Sequence, residues 1–267
     1  MRTFRIFVIV ACLGFGAMVT QAFITINNKD SFKPKEAGKG FAVVELFTSE
    51  GCSSCPPADA LVARVQKESA DKPVYILAFH VDYWNRLGWK DVFSSADYTV
   101  RQQQYARWLK SSEIYTPQAI VNGRAEFVGS EEGSLRKAIQ AGLQKSASTP
   151  LTLSDSKFGN NKASIQYHID GSTNDATLVV VLVQKNATNK VERGENGGRT
   201  LAHVQIVNKL QSIVLAGKNS GKADIALPTG FNPAGYEVIA FVQKTSTGEI
   251  TGASKIEFSV GATANSK

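Results

Sequence analysis

Thiols and other soft ligands are scarce in this chain. Its 267 residues hold three cysteines, three histidines and two methionines. Three cysteines cannot form the several-bridge framework of a small secreted scaffold. No second cysteine pair stands by to complete a four-ligand zinc site. Charge of one sign is not concentrated either. Lysine and arginine outnumber the acids by 30 to 23, but they are scattered rather than gathered in a stripe, and no nucleic-acid-binding motif appears, so we expect no nucleic-acid partner. Long apolar runs are also missing. Ile6–Val19 is too short for a comfortable membrane span. What is present is ordinary globular material, 43% hydrophobic and long enough for one large or two modest domains.

The first residues read as an export signal. Arg2 and Arg5 supply a positive region, the apolar run follows, and Thr20-Gln21-Ala22 offers small residues for cleavage. Residues 1–22 are therefore expected to be removed and the protein to be periplasmic or secreted, with membrane contact only if that segment stays uncleaved. Residues 23–40 read as a polar, flexible leader. Cys12 leaves with the signal, which makes Cys52 and Cys55 the only thiols of the mature chain. One C-x-x-C pair staples almost no chain, so chemistry explains it better than stability.

The pair follows an apolar strand, Phe41–Phe47, and opens a helix that starts at Pro56-Pro57, where proline is tolerated. Thiolates gain there from unpaired backbone N–H groups. Glu45 interrupts the strand. A buried carboxylate needs a partner or a proton, so Glu45 is either an edge residue or a tuned acid. A second strand, Val74–Phe79, ends at His80-Val81-Asp82-Tyr83-Trp84. A helix from Ser94 or Ser95 to about Lys110 comes next, with Tyr98, Tyr105, Trp108 and Leu109 on its apolar face. Two short strands around Asn122-Gly123 then form a hairpin, and a helix runs to about Gln144.

Beyond a linker at residues 145–150, helical periodicity fades and short β-like runs recur. Residues 151–261 are expected to be an all-β, sandwich-like domain. Arg193–Thr200 is rich in glycine and charge but follows no strand-to-helix phosphate pattern. It reads as a hairpin loop that can rest against the first domain and shape substrate access. His168 and His203 fall in strands and receive no role.

The element order of residues 41–144, with Cys52-Ser53-Ser54-Cys55 after the first strand and Thr116-Pro117 before the third, resembles the thioredoxin-like fold. The stretches Gly51–Pro57, His80–Trp84 and Tyr115–Gln118 make the chain similar to a family of exported bacterial thioredoxin-like proteins of uncharacterised function. That resemblance implies an α/β thioredoxin-like domain ahead of the all-β one. It also implies Cys52 as the attacking cysteine, Cys55 as the resolving one, Pro117 as a cis-proline facing them and Glu45 as a buried strand acid. Gly51 and Ser53-Ser54 depart from the thioredoxin motif, and the Glu45–Cys52 loop is one residue longer.

The activity so expected is thiol–disulfide exchange with exported client proteins that carry thiols or disulfides, coupled to a redox partner protein and needing no cofactor. Thr116 and Pro117 would pair with client backbone, and Asp82, Tyr83 and Trp84 would floor a groove beside the thiols. Two alternatives share the same residues. Cys52, Cys55 and His80 form a set suited to copper(I), and the fold can also serve as a binding module without turnover.

Overall fold

A computed structural model describes residues 40–258. The expected signal segment with Cys12, all of the leader but Gly40, and residues 259–261 of the expected all-β part lie outside them. Strand β1 (Ala42–Thr48) is followed by helix α1 (Pro56–Glu68), β2 (Val74–His80), α2 (Ala96–Leu109), β3 (Gln118–Val121), β4 (Ala125–Val128) and α3 (Glu132–Gln144). Seven strands come next: β5 (Leu151–Gly159), β6 (Lys162–Ile169), β7 (Ala176–Lys190), β8 (Thr200–Val214), β9 (Ser220–Ala226), β10 (Tyr236–Lys244) and β11 (Ile250–Glu257).

Local chemistry explains the boundaries. Pro56 and Pro57 occupy the first two positions of α1, where their missing N–H groups leave no helical bond unmade. Ser95 caps α2, its hydroxyl accepting from the Asp97 N–H. Asn122 and Gly123 take left-handed conformations, φ 51° and 65°, and the Arg124 N–H closes the turn onto the Val121 carbonyl at 3.1 Å.

The strands do not fall into two separate sheets at the expected 145–150 boundary. Eight of them form one mixed sheet in the order β11-β10-β7-β8-β2-β1-β3-β4, while β5, β6 and β9 form a small second sheet. The seam is narrow: β2 meets β8 in parallel at Ala78 and Ile206. A strand as apolar as Val74–Phe79 leaves its backbone groups unpaired on its free side, and β8 takes up that side. The fold class is thus mixed α/β, with a large sheet and few helices.

Three apolar clusters fix the layers. On one face α2 lays Tyr98 and Tyr105 over Phe47, Phe79, Val181, Val207 and Phe241, so this core is drawn from both halves of the chain. Phe47 and Phe79 stack with centroids 5.4 Å apart, and each fully buried ring contributes roughly 1.5–3 kcal/mol. On the other face α1 and α3 cover β1 and β3 through Leu61, Val62, Leu135 and Ile139. Farther along that face the three-stranded sheet packs on β7 and β10 through Ile165, Ile225, Leu178 and Val238. No helix among the described residues is long and apolar enough to cross a membrane.

Candidate functional site

The chain leaves β1 at Thr48 and turns through Ser49–Ser54 into α1. Cys55 is the N-cap residue of that helix and already has helical backbone angles. Its N–H donates to the Cys52 carbonyl at 3.2 Å, and its own carbonyl accepts from Ala58 and Asp59. Cys52 and Cys55 are joined as a disulfide with Cα atoms 5.4 Å apart. Both cysteines are fully buried, while Ser53 and Ser54 are exposed. Ser54 Oγ stands 3.4 Å from Cys52 Sγ.

Residues expected from the sequence meet around this pair. The Thr116–Pro117 peptide bond is cis. A Cβ at Gly129 would lie 3.1 Å from Pro117 Cβ and 3.3 Å from Ala58 Cβ, which sets the proline against the first turn of α1. Trp84 ties the two walls together. Its indole N–H donates to Thr116 Oγ1 at 2.8 Å, and a Cβ at Gly51 would come within 3.0 Å of Trp84 Cβ. Tyr83 is half-buried and donates to Gln102 at 3.3 Å. Asp82 is turned to other work, accepting from the Thr99 hydroxyl at 2.5 Å near the start of α2.

Glu45 does not join them. Strand alternation points it to the α2 face of the sheet, away from α1. There it meets Arg101 through two bonds of 2.5 and 2.9 Å and accepts the Tyr105 hydroxyl. Gln243 of β10 completes the group by donating to the Tyr105 oxygen at 2.8 Å, and the guanidinium lies over the rings of Phe79 and Phe241. Burial opposes the charge on Arg101, but Glu45 outweighs it and holds the guanidinium more firmly protonated than usual. The expected tuned acid is therefore one half of a buried ion pair that pins α2 across the seam.

The loop between β7 and β8 lies on the cysteine loop. Asn196 is fully buried, and its side-chain amide donates to the carbonyls of Glu50 and Cys52, both at 2.9 Å. The Glu195 carboxylate accepts from the Ser53 N–H at 3.0 Å, and Ser53, through its hydroxyl first and its N–H second, lowers the Glu195 pKa. Gly194 and Gly198 flank these residues with φ of 77° and 83°, conformations open to glycine but not to most side chains. The loop does reach the first half, as its composition allowed.

Beneath the loop sits a group of titratable side chains. Glu50, fully buried, accepts from Trp89 Nε1 at 2.8 Å and from Asn189 at 3.0 Å. Asp59 of α1 accepts from the Thr48 hydroxyl at 2.9 Å. His203 of β8 lies between the two carboxylates, 3.4 Å from Glu50 and 3.6 Å from Asp59. Burial opposes its charge, yet Asp59 and Glu50 outweigh burial and raise its pKa to about 9. Its ring lies edge-on to His80 at 4.8 Å, and His80 Nδ1 meets Asp91 at 2.6 Å. Burial pushes the Asp91 carboxyl up, but His80 and two backbone N–H groups bring it below the usual range.

The sequence assigned no chemistry to His203, Glu50, Asn196 or Asp59. Asp59 had one visible signal, its position four residues after Cys55. His203 and Asn196 had none, because they come from the far half of the chain. Among the described residues no three His, Cys, Asp or Glu side chains are placed to hold a metal ion. His80 turns to Asp91, and the cysteines are joined to each other.

Fold and site together define a mixed α/β protein with a buried C-x-x-C disulfide at the start of its first helix. The chain belongs to the family described as protein of unknown function DUF1223, whose model matches residues 43–243. It is similar to a structurally determined protein of Agrobacterium tumefaciens, at 29% identity and a TM-score of 0.63, over 87% of this chain and all of that one. HBP35 of Porphyromonas gingivalis shares the fold at 18% identity and a TM-score of 0.56, over 87% of this chain and 82% of its own. No protein of curated function matches.

Proposed function

We propose that this protein is an exported thiol–disulfide oxidoreductase, built on a thioredoxin-like core at residues 41–144, that exchanges disulfides with exported client proteins. One observation carries the reading: the Cys52–Cys55 disulfide opens α1, and a cis-proline lies against the helix's first turn. The order of elements from β1 to α3 supports the core assignment. In the reducing direction the Cys52 thiolate attacks a client disulfide and one client sulfur leaves. Cys55 then attacks Cys52 Sγ, the second client sulfur leaves, and two electrons have passed from the pair to the client. Oxidation of a client dithiol runs the same steps backwards. Trp84, Thr116 and Pro117 form the wall against which client backbone would lie. A redox partner protein restores the pair.

A glutathione redox titration read by mass spectrometry tests the reading. We expect reversible interconversion of dithiol and disulfide. We also expect a Cys55→Ser variant to retain exported proteins as mixed disulfides through Cys52. A pair that stays locked or unreactive, together with an empty trap, would leave a binding module as the better description.

A further inference from the structure

We infer that Asp59 and His203 form the acid–base pair that serves Cys55 in the closing step, in place of Glu45, the buried strand acid that the resemblance implied. The inference rests on the oxidoreductase reading above and adds the residues that move its proton.

Three observations converge. Asp59 follows Cys55 by four residues, and the Asp59 N–H donates to the Cys55 carbonyl at 3.1 Å, so a full helical turn links them. Side chains at that spacing share a helix face, with Cβ atoms about 5–6 Å apart. Second, Glu45 faces α2 and is held there by Arg101 and Tyr105. Third, the Asp59 and His203 group is buried yet incompletely bonded. Asp59 Oδ1 holds the Thr48 hydroxyl, whereas Oδ2 faces His203 across 3.6 Å. Neither ring nitrogen of His203 has a hydrogen-bond partner of good geometry, although the ring is 3% exposed. A buried donor without a well-formed bond is costly to keep, so its retention beside a disulfide calls for a functional cause.

The step balances without a further reagent. With client and Cys52 joined in a mixed disulfide, the Cys55 thiol gives its proton to the Asp59 carboxylate. The Cys55 sulfur bonds to Cys52 Sγ, and the client sulfur leaves with the electron pair of the broken bond. His203 across from Oδ2 steadies the carboxylate, and the proton passes on to the departing client thiolate or to water. The groups facing His203 are Glu50, Asp59 and the ring of His80, with Asp91 beyond His80. The only residue of this relay from beyond α3 is His203, so the β-rich half would contribute directly to the chemistry.

The test separates the two chemical steps. Reduced protein is mixed with glutathione disulfide across a pH series, quenched with acid, and the mixed and internal disulfides are resolved by mass spectrometry. For folded Asp59→Asn we expect the closing step to slow by about tenfold or more near neutral pH, as for loss of a general base. The deficit should shrink in alkaline solution, where Cys55 ionises unaided, and attack by Cys52 should change little. Asp59→Glu should recover part of the rate, and His203→Gln should alter the pH profile of closing. If Asp59→Asn does not fold, the Glu and His203→Gln variants carry the comparison. Wild-type closing profiles in the folded variants would overturn the inference and leave the oxidoreductase reading standing. A wild-type protein that forms no mixed disulfide would overturn both.

Discussion

Two buried groups of charge lie on the sheet, and they are built in opposite ways. Around Arg101, the carboxylate of Glu45 receives two guanidinium bonds and a phenol, Gln243 closes the circuit, and the cation rests over aromatic rings. Around His203, two carboxylates stand 3.4 and 3.6 Å away, and both ring nitrogens lack a well-formed bond. His80 Nε2 nearby is likewise unpartnered. The first group spends its polarity on geometry, joining β1, α2 and β10. The second keeps proton-binding capacity in reserve beside a disulfide. Saturation marks the structural cluster, and incomplete bonding marks the one suited to chemistry.

The largest effect should come from breaking the saturated group. Replacing Glu45 by Gln leaves Arg101 charged and buried without its counter-ion. We expect a loss of about 3–5 kcal/mol in chemical denaturation. Thiol–disulfide exchange by the protein that remains folded should keep its rate. A large fall in exchange under folding conditions would show that Glu45 acts on the thiols and would erase the contrast.

The His203 group predicts a pH-dependent stability instead. A histidine whose pKa is raised from 6.5 to about 9 binds its proton more tightly in the folded state. Its contribution is fully present below its unfolded value and is lost as pH rises through the folded one. At ~1.4 kcal/mol for each pH unit the full effect is roughly 3 kcal/mol. Urea midpoints of the wild type should therefore fall between about pH 6.5 and 9, and His203→Gln should flatten that slope. Equal slopes in the two proteins would mean that His203 is not charged between its carboxylates.

The contrast also explains how much could be read in advance. Helix α1 was legible because Pro56-Pro57 and the spacing of Ala58, Leu61, Val62 and Val65 are local signals. The hairpin at Asn122-Gly123 and the cap at Ser95 are local too. Strand β8 was harder, since the sequence shows its apolar stretches as two separate short runs, His203–Val207 and Ile213–Leu215. The observed strand is continuous, and its register against β7 shifts at a bulge between Leu182 and Val183, where Val207 and Lys209 are successive partners. A bulge inserts a residue and breaks the period-2 pattern on which the reading depends. The seam at Ala78 and Ile206 was not legible, because nothing in an apolar strand names its neighbour. For the candidate site, the gathering of Cys52, Cys55, Trp84 and Pro117 was legible from motif and position. Glu45 was visible as an acid within an apolar strand, but its partner Arg101 is one of two polar residues, with Gln102, on the buried face of α2, 56 positions away.

The cover over the cysteines gives the smaller and sharper tests. Asn196 makes two bonds to backbone carbonyls on either side of Gly51, each contributing about 0.5–1.5 kcal/mol. Asn196→Ala should loosen the loop and speed reduction of the disulfide by dithiothreitol, by roughly tenfold if the two bonds together are worth ~1.4 kcal/mol. Unchanged reduction would mean that Cys52 is reached by a path the loop does not guard. Glu195 is exposed and holds only Ser53, itself exposed, so Glu195→Ala should change the rate less than Asn196→Ala does. The ranking matters more than either number. A buried amide that bridges two carbonyls holds the loop in place, while an exposed carboxylate shares its bond with water. If Glu195→Ala had the larger effect, charge beside Cys52 rather than coverage would control access to the disulfide.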